Sequence, residues 1–565
     1  MKMHNVWGYG QLFGYSGLDG QNFCINDFVG TLTAKKIGIR FELREWVKVT
    51  IPVKGRVKFH AVTGDMIDAQ TKDGEVFITF SNAETIVGVA PFKPIITTEK
   101  KWKYVNRTGG EMYYNQTDAV ALVTKQLDNG MVRFAVSHST HAFSLARAGA
   151  KEGMLVDINL LKKARYEYFK NLPKCKDRRY EKLYYKALSV NKVNVHSPEG
   201  DIPCLWTTPD RIPHRRMWLW DSVFHSFAFA TYNHEMAKNC LRSILSKQRA
   251  DGFVPAMMNP RGRTEMTQPQ VISWGAWVVY QKCKDKSFLE EVVGKLEAYL
   301  TWDMKNRDIN GNGLLEWFTE PEYLENKSGE SGQDNSPRFD VDERADAMDF
   351  SAFQANDAFY LAKIYAELGN NAKAEEWNKV YENIKNQINK LLWNEQDGVY
   401  YDRLIGSGKF TNILTPSCFI PMMVGIPSQE QADRMVKKLT DPNLLWTNFP
   451  LATVSKQHPL YSSDFWRGGV WLNMNYMIMK GLRRYGYNQY ADELKQKTLD
   501  AVNKWYKKTG SIFEFYDPED KLSPFECDRL GKPVSPPDWR KHPHSVCDFN
   551  WSACFTLLLI QDENF

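Results

Sequence analysis

From about residue 180 onward, this 565-residue chain is a succession of segments with the periodicity of an α-helix. Segments that are apolar all round (WDSVFHSFAFA, VISWGAWVVY, WLNMNYMIM) take turns with charged, amphipathic ones (FLEEVVGKLEAYL, AEEWNKVYENIKNQI, YADELKQKTLDAV). An apolar helix must contact protein on every side, whereas an amphipathic helix can face water on one side. The alternation therefore predicts two concentric layers containing about eleven or twelve helices.

Two architectures satisfy this alternation: an (α/α)6 toroid barrel made of six helical hairpins, and an open helical solenoid. The connections between the predicted helices are long and rich in Trp, Asp, Gln and Arg, which favours a closed barrel with a site at one end. We therefore predict a mainly α chain in which residues 181–565 form an (α/α)6 barrel catalytic domain.

The beginning of the chain has a different texture. Between about residues 29 and 155, short β-branched and aromatic segments such as KIGIRFEL, EVFITF and MVRFAVSH alternate with turn residues, as in an antiparallel sandwich. We predict an N-terminal β-sandwich domain over residues 1–160, serving as a structural cap, and a basic, helical linker over residues 161–180. In a second interpretation, this domain reaches the substrate entrance through the aromatic residues near the start, which are Trp7, Tyr9, Phe13, Tyr15 and Phe23.

Charge and cysteine usage exclude several classes of function. The 73 basic and 67 acidic residues give a net charge of +6 without a basic block, so no nucleic-acid partner is expected. The nine widely spaced cysteines include no CxxC pair, which argues against a disulfide framework and a zinc site. The sequence contains no long apolar run, so no membrane partner is expected. The chain as given is expected to be cytoplasmic; if an export signal was removed, it would be periplasmic or secreted. The sequence leaves the oligomeric state open.

One loop combines carboxylates with aromatic rings. Residues 320–340, EPEYLENKSGESGQDNSPRFD, have the Gly, Ser, Asn, Asp and Pro content of a loop. We predict that this mixture of carboxyls and aromatic rings forms the wall of a pocket. A carboxyl beside an apolar face can have a raised pKa and act as an acid. Spacing alone does not identify the carboxyl that takes part in catalysis; the candidates are Glu320, Glu322, Glu325, Glu330, Asp334 and Asp340.

The string SGQDNSPR, residues 331–338, resembles the SGxDxSxR signature of glycoside hydrolase family 63 and its relatives, the trehalases and mannosylglycerate hydrolases. This resemblance implies that Asp334 is the general acid, with a turn cap as the alternative. FEFYDPED, residues 513–520, is similar to the family's E-[YF]-[YF]-[DN]-P box, which implies that Glu514 is the general base. The alternative for Glu514 is an ordinary charged residue on a helix or loop face. Asp517 and Glu519 are rival carboxylates: Asp517 is expected to accept hydrogen bonds in a turn, and Glu519 is expected at the surface.

Three more stretches resemble boxes of these glycosidases: IPHRRMWLWDSVFHSFAF at 212–229, TQPQ at 267–270 leading into Trp274, and FWRGGVWLNMNYMIMKGLRRYGY at 465–487. Gly469 stands where the family has Pro, a departure expected to be mild because both residues shape turns. Polar members can bond sugar hydroxyls or hold the acid in place, and the Trp rings can wall the sugar, with ordinary packing as the alternative for each Trp. The implied substrate-binding residues are Trp218, Trp220, Asp221, Gln268, Trp274, Arg338, Trp466, Arg467 and Trp551; for Arg467 a structural anchor is the alternative.

The resemblance implies an inverting, exo-acting glycoside hydrolase that cleaves an α-linked glucoside or mannoside, with a small oligosaccharide or glycoside as substrate. In such an enzyme the acid protonates the leaving oxygen while the base activates a water, with the carboxyls roughly 6.5–9.5 Å apart. One alternative is a catalytically inactive carbohydrate-binding (α/α)6 barrel, which the pair of Asp334 and Glu514 disfavours. Another is a glycoside phosphorylase or a lyase on the same barrel; Glu514 argues against the phosphorylase, which would have a cationic phosphate pocket in place of the carboxylate base. The sequence leaves the sugar and linkage open.

No cofactor is expected to be required, but the segment DINGNGLLE copies the first half of a calcium loop, with candidate ligands Asp308, Asn310, Asn312 and Glu316. Thr319 occupies the position of the bidentate Glu, so the segment is not an EF-hand. An Asn-Gly turn between helices is the alternative to a structural calcium site.

Overall fold

The computed structural model describes residues 12–24, 30–31, 38–43, 47–98, 102–107, 110–140, 142–211, 213–317, 328–341, 343–530 and 544–563. The chain forms two compact units. The first comprises Met1–Glu199, Asp210–Arg215 and Trp505–Ile512, and the second comprises Gly200–Pro209, Arg216–Lys504 and Phe513–Phe565. Within the described ranges, every helix is too short or too polar to cross a membrane.

The first unit contains two antiparallel sheets, which the alternating segments of the sequence predict. Its strands are β1 Leu12–Phe13, β2 Gly30–Thr31, β3 Ile39–Leu43, β4 Val47–Ile51, β5 Lys58–Val62, β6 Met66–Thr71, β7 Gly74–Asn82, β8 Thr85–Ala90, β9 Ile95–Thr98, β10 Lys103–Arg107, β11 Gly110–Tyr114, β12 Asp118–Gln126 and β13 Val132–Thr140. One sheet has the order β1-β2-β3-β4-β9 and the other β10-β11-β12-β13-β8-β7-β6-β5. Apolar side chains from both sheets, such as Val49 and Ile78, share one buried core. Phe13 and Tyr15 pack in this core, and Trp7 and Tyr9 lie outside the described residues.

Three helices complete this unit: α1 Phe143–Leu155, α2 Ile158–Lys170 and α3 Glu181–Val193. Helix α1 occupies the end of the region where strands were expected, and it packs on β8, β12 and β13. Residues 161–180, the expected linker, contain most of α2. In that helix Arg165 and Phe169 are buried, and Arg165 pairs with Asp19 at 2.7 Å, so α2 is part of the unit.

The second unit is helical. The helices that follow α3 are α4 Leu219–Phe229, α5 His234–Ser246, α6 Ile272–Cys283, α7 Lys286–Arg307, α8 Met348–Glu367, α9 Asn371–Leu391, α10 Ile420–Val424, α11 Gln429–Leu439, α12 Leu472–Arg484, α13 Asn488–Thr509 and α14 Asn550–Gln561. All of them belong to the second unit except the end of α13, from Trp505 onward. The remaining strands of the chain are short: β14 Val195–His196, β15 Trp206–Thr207, β16 Met217–Trp218, β17 Met257–Asn259, β18 Gly262–Arg263, β19 Ala345–Asp346, β20 Trp393–Asn394, β21 Val399–Tyr400 and β22 Arg403–Leu404.

The predicted alternation of helices is present in this unit. Every described residue of α4, α10 and α14 is buried, as is most of α6, α8 and α12, whereas α5, α7, α9 and α11 bury one face. Each buried helix packs on the next in the order α4, α6, α8, α10, α12, α14, and α14 packs on α4. The short helix α10 was not expected, because its five residues, IPMMV, are too few to show a helical period.

Candidate active site

Asp334 lies in the loop between α7 and α8, and the residues on both sides of it are tied to other segments. The Gln333 amide donates to Asp349 Oδ2 at 3.0 Å and to Ser417 Oγ at 3.1 Å. The Asn335 side-chain oxygen accepts from the backbone N–H of Trp466 at 2.8 Å. Asp334 itself is half-buried. The loop is therefore fixed on both sides of a half-buried residue.

Arg338 anchors this loop from behind. Its guanidinium donates to both oxygens of Asp402, at 2.8 and 2.9 Å, and to both oxygens of Asp349, with one of these bonds at 2.8 Å. A fifth bond runs to Gln333 Oε1 at 3.4 Å, so protein acceptors take all five N–H groups. This geometry favours the anchoring role for Arg338 over a bond to a sugar hydroxyl.

Burial and charge oppose each other in this cluster. Burial favours the neutral form of Asp349, but the Arg338 guanidinium outweighs it and holds the pKa of that carboxyl below its usual range. For Asp402, burial dominates and raises the pKa. One guanidinium thus neutralises two buried carboxyls only in part.

The segment 465–471 joins the Asp334 loop to the segment that carries Glu514. On one side, Arg467 Nε donates to the carbonyl of Asn335 at 3.0 Å and its Nη2 to Asp340 Oδ2 at 3.0 Å. On the other side, Val470 and Tyr516 exchange backbone hydrogen bonds of 2.8 and 3.1 Å. Arg467 therefore acts as an anchor here, and the two candidate carboxyls belong to loops that share one structural neighbour.

Glu514 is buried and paired with Arg529. Arg529 Nε donates to Glu514 Oε2 at 2.7 Å and Arg529 Nη2 donates to Oε1 at 3.0 Å. The rival carboxylates have other roles: Asp517 accepts the backbone N–H groups of Lys521 and Leu522 in a turn, and Glu519 pairs with Lys456 at 3.0 Å. Of these three carboxyls, Glu514 is the one with a guanidinium fork that matches its ionised form.

Tryptophan side chains pack together beside these loops. Trp466 stacks on Trp471 with ring centroids 4.2 Å apart, and Trp551 meets Trp220 at 5.2 Å and Trp471 at 5.3 Å. The indole N–H groups of Trp466 and Trp551 are buried and have no hydrogen-bond partner in the described part of the chain. A buried donor without an acceptor is costly, so a ligand oxygen at either N–H would be stabilising.

The loop that carries Asp334 lies directly against these packed tryptophan side chains. Gly332 has a φ of +71°, and a Cβ at this position would come within 2.6 Å of the Trp220 ring. Glycine is therefore required twice, for the left-handed backbone and for the close approach. Gln268 Oε1 accepts from the backbone N–H of Trp220 at 3.3 Å, so Gln268 also contacts the residue that Gly332 approaches.

The remaining predicted contacts lie on α4, α6 and β16. Asp221 is buried in the first turn of α4, and the half-buried Trp218 lies on β16, opposite Met257 of β17. Trp274 is fully buried in α6, where its ring lies 4.8 Å from Phe227. Its indole N–H, like those of Trp466 and Trp551, has no hydrogen-bond partner in the described residues, so ligand contact by Trp274 stays a prediction beside ordinary packing.

Gly469, the departure from the family pattern, has a steric reason in this chain. A Cβ at Gly469 would meet the carbonyl oxygen of Phe465 at 2.4 Å and the ring of Phe515 at 2.8 Å. The backbone of 465–471 therefore leaves no space for a proline ring, and the expectation that this departure is mild stays a prediction. Sequence reasoning missed this contact because it links residues on separate segments.

The candidate calcium loop is closed by its own hydrogen bonds. Asp308 accepts the backbone N–H groups of Asn312 and Gly313, each at 3.0 Å. The amides of Asn310 and Asn312 donate to Asp346, at 2.9 and 3.0 Å. Within the described ranges, no three His, Cys, Asp or Glu side chains converge on a metal position.

One feature of this loop nevertheless fits a cation. Glu316 Oε1 is buried without a hydrogen-bond partner in the described residues, and its Oε2 accepts from Ile309 N–H at 2.9 Å. Burial, together with the neighbouring carboxyls of Asp346 and Asp308, raises the pKa of Glu316 to about 8. A hard cation with oxygen ligands is the group that such an arrangement would accept.

The structure also shows site residues that the sequence did not reveal. Arg529, Asp349, Asp402 and Asn335 hold the candidate carboxyls or their loops. Asn335 lies inside the recognised signature, where its position next to Asp334 was a usable signal. The other three lie outside every box, and no spacing rule connects them with their partners.

Comparison with known proteins identifies the class as that of the glycoside hydrolases. Residues 213–552, more than half of the chain, match the model of the mannosylglycerate hydrolase MGH1-like glycoside hydrolase domain. The chain therefore belongs to this family, which confirms the resemblance to family 63 and the mannosylglycerate hydrolases.

The chain is also similar to individual proteins in sequence or in fold. The chain is 24% identical over 395 residues to mannosylglycerate hydrolase MGH1 of Selaginella moellendorffii, covering 55% of this chain and 78% of that protein. It is 29% identical over 254 residues to an uncharacterised protein of Borreliella burgdorferi, covering 44% of this chain and about half, 51%, of the relative. Its fold is similar to that of the family 63 mannosylglycerate hydrolase from Thermus thermophilus, with a TM-score of 0.55 and 20% identity over 66% of this chain and 99% of that one.

Proposed function

We propose that this protein is an inverting, exo-acting glycoside hydrolase that cleaves an α-linked glucoside or mannoside, with Asp334 as general acid and Glu514 as general base. The observation that carries the proposal is the segment 465–471, which hydrogen-bonds to Asn335 on one side and pairs with Tyr516 on the other. Because these residues neighbour Asp334 and Glu514, both carboxyls are tied to the same tryptophan-lined segment.

The proposed architecture is an (α/α)6 barrel. Its support is the order of packing in the helical unit, in which six buried helices follow one another and the last contacts the first. An open solenoid would leave its first and last helices apart. A closed inner layer brings the loops at one end of the helices together, where a pocket for a small glycan can form.

In the proposed mechanism, the Asp334 carboxyl donates its proton to the glycosidic oxygen as the bond to the anomeric carbon breaks. The Glu514 carboxylate removes a proton from a water that attacks the opposite face of the sugar, which inverts the anomeric centre. The half-buried Asp334 and the guanidinium-paired Glu514 suit these roles, because the acid must reach the substrate and the base must be ionised.

The test is time-resolved proton NMR of the protein with α-linked gluco- and manno-disaccharides and glycosides, including mannosylglycerate because of the relatives' activity. We expect one substrate to release the β-anomer first, followed by mutarotation. Release of the α-anomer first would contradict inversion. Binding of sugars without cleavage of any panel member would instead favour the inactive carbohydrate-binding barrel.

We also propose a structural calcium ion at Asp308, Asn310, Asn312 and Glu316, with Asp346 as a further candidate ligand. The support is the unpartnered oxygen of buried Glu316 beside two other carboxyls. Binding requires the Asn310 and Asn312 amides to present oxygens in place of the N–H groups that now face Asp346. Without that rotation, the loop is an Asn-Gly turn.

Calcium is expected to raise the melting temperature, and a chelator to lower it. A ligand at 100 times its Kd stabilises the folded state by about 2.7 kcal/mol, a shift that calorimetry resolves. Glu316→Gln is expected to abolish the response to calcium while leaving a folded protein, because the amide keeps the shape but loses the charge. Equal melting temperatures in calcium and in chelator would leave the Asn-Gly turn as the correct interpretation.

A further inference from the structure

The ion pair between Arg529 and Glu514 has a consequence for the proposed base. Both side chains are about 4% exposed or less, and the guanidinium contacts both carboxylate oxygens, at 2.7 and 3.0 Å. A bidentate pair fixes the rotation of the carboxylate as well as its charge. We propose that Arg529 is a positioning residue that fixes the orientation of the Glu514 carboxylate and supplies its counter-charge; this inference rests on the proposed function of Glu514.

Arg529 is itself held by the segment that joins the two candidate loops. Its guanidinium carbon lies 4.6 Å from the centre of the Phe465 ring, within the range of a cation–π contact. The next residue, Leu530, donates its backbone N–H to Asp464 at 2.9 Å. The position of the base therefore depends on residues 464–465. These residues directly precede Trp466, which is hydrogen-bonded to the Asp334 loop.

The other groups around Glu514 supply less control. The backbone N–H of Val546 approaches Glu514 Oε2 at 3.5 Å, a weak contact. Burial lowers the pKa of His544, although its bond to the Ser545 carbonyl and the charge of Glu514 oppose this shift. The carboxyl of Asp517 accepts backbone N–H groups of its own turn, and that of Asp464 accepts the backbone N–H of Leu530. Within the part of the chain that the structure describes, Arg529 is thus the cation that contacts the base.

A positive charge at contact distance favours the ionised form of a carboxyl. Removal of the guanidinium from a buried pair leaves a carboxylate without compensation, so protonation of Glu514 becomes favourable. A protonated Glu514 cannot take a proton from water. The expected signature is an acid limb of the rate profile that moves to higher pH, together with a lower kcat at the optimum because the carboxyl is no longer oriented.

The test compares Arg529→Met and Arg529→Lys with the wild type. For Arg529→Met we expect the acid limb of kcat/KM to move to higher pH. Arg529→Lys keeps the charge but not the fork, so its acid limb is expected near that of the wild type while its kcat stays reduced. The matched control is Arg242→Met, which removes a similar bidentate pair with Glu291, at 2.8 and 2.7 Å, from the surface of the helical unit and should leave the profile unchanged.

A second readout separates this inference from the proposed function. Infrared difference titration against Glu514→Gln reports the ionisation of this single carboxyl, whether or not a glycoside is cleaved. We expect Glu514 to ionise at higher pH in folded Arg529→Met than in the wild type. Ionisation at the same pH in both proteins would overturn the inference, whereas a wild type that cleaves no glycoside while the shift is present would overturn the proposed function alone.

Discussion

Asp334→Asn and Glu514→Gln are each expected to lower kcat on an α-linked disaccharide roughly 10²–10⁴-fold, the range for loss of a general acid or base. Both substitutions keep the size of the side chain and remove its ability to transfer a proton. Because the neighbours Gln333 and Asn335 fix the loop, Asp334→Asn should fold like the wild type. Glu514→Gln replaces a charged partner of Arg529, so its melting temperature is expected to fall while the protein stays folded.

A change of leaving group separates the two roles. Fluoride leaves a glycosyl fluoride without being protonated, so this substrate does not need the general acid. Its hydrolysis still needs a water activated by the general base. Asp334→Asn is therefore expected to recover most of its rate on the α-fluoride of the preferred sugar, whereas Glu514→Gln stays slow on both substrates. Recovery of both variants, or of Glu514→Gln alone, would contradict the assigned roles.

Rival carboxyls provide the controls for this experiment. Glu519→Gln removes a surface carboxyl close to Glu514 in sequence, and Asp340→Asn removes an exposed one from the Asp334 loop. We expect both variants to keep most of the wild-type kcat. A loss in Asp340→Asn as large as that in Asp334→Asn would move the acid role to Asp340.

The fold was largely readable from the sequence because its signals are local. The apolar helices α4, α12 and α14 have the burial that their composition predicts, and β4 buries alternate residues as expected, whereas β7 and β13 are buried over most of their length. The exceptions were also local: α10 is too short to show a period. Helix α1 buries a face of small residues, Ala146, Ala150 and Gly153, which resembles no strongly amphipathic pattern.

The candidate site was readable only where it coincides with a family signature. Asp334, Glu514 and the Trp residues lie in recognised boxes, but the partners that hold the carboxyls lie elsewhere in the chain. Arg529 is 15 residues from Glu514, and Asp402 is 64 residues from Arg338. Such pairings depend on how the loops approach one another, a property that spacing along the sequence does not encode.

Arg338→Met is expected to lower the free energy of unfolding at pH 7 by about 3–5 kcal/mol, the cost of leaving buried charges without their partner. The guanidinium is completely buried and contacts Asp349 and Asp402, whose side chains are exposed by 0% and 5%. Arg338→Lys keeps one charge, but its ammonium cannot bond four carboxylate oxygens in one plane, so an intermediate loss is expected. Urea denaturation followed by tryptophan fluorescence measures all three proteins.

The pH dependence distinguishes loss of a charge partner from loss of packing. Without Arg338, burial raises the pKa of both Asp349 and Asp402 above their values in the unfolded chain. Such groups penalise the folded state as pH rises through their folded pKa, so the deficit of Arg338→Met should shrink on acidification and grow toward neutral pH. A deficit that is constant with pH would indicate a packing defect instead. Arg242→Met, whose partner Glu291 stays in contact with water, is expected to cost at most about 1 kcal/mol and to show no such trend.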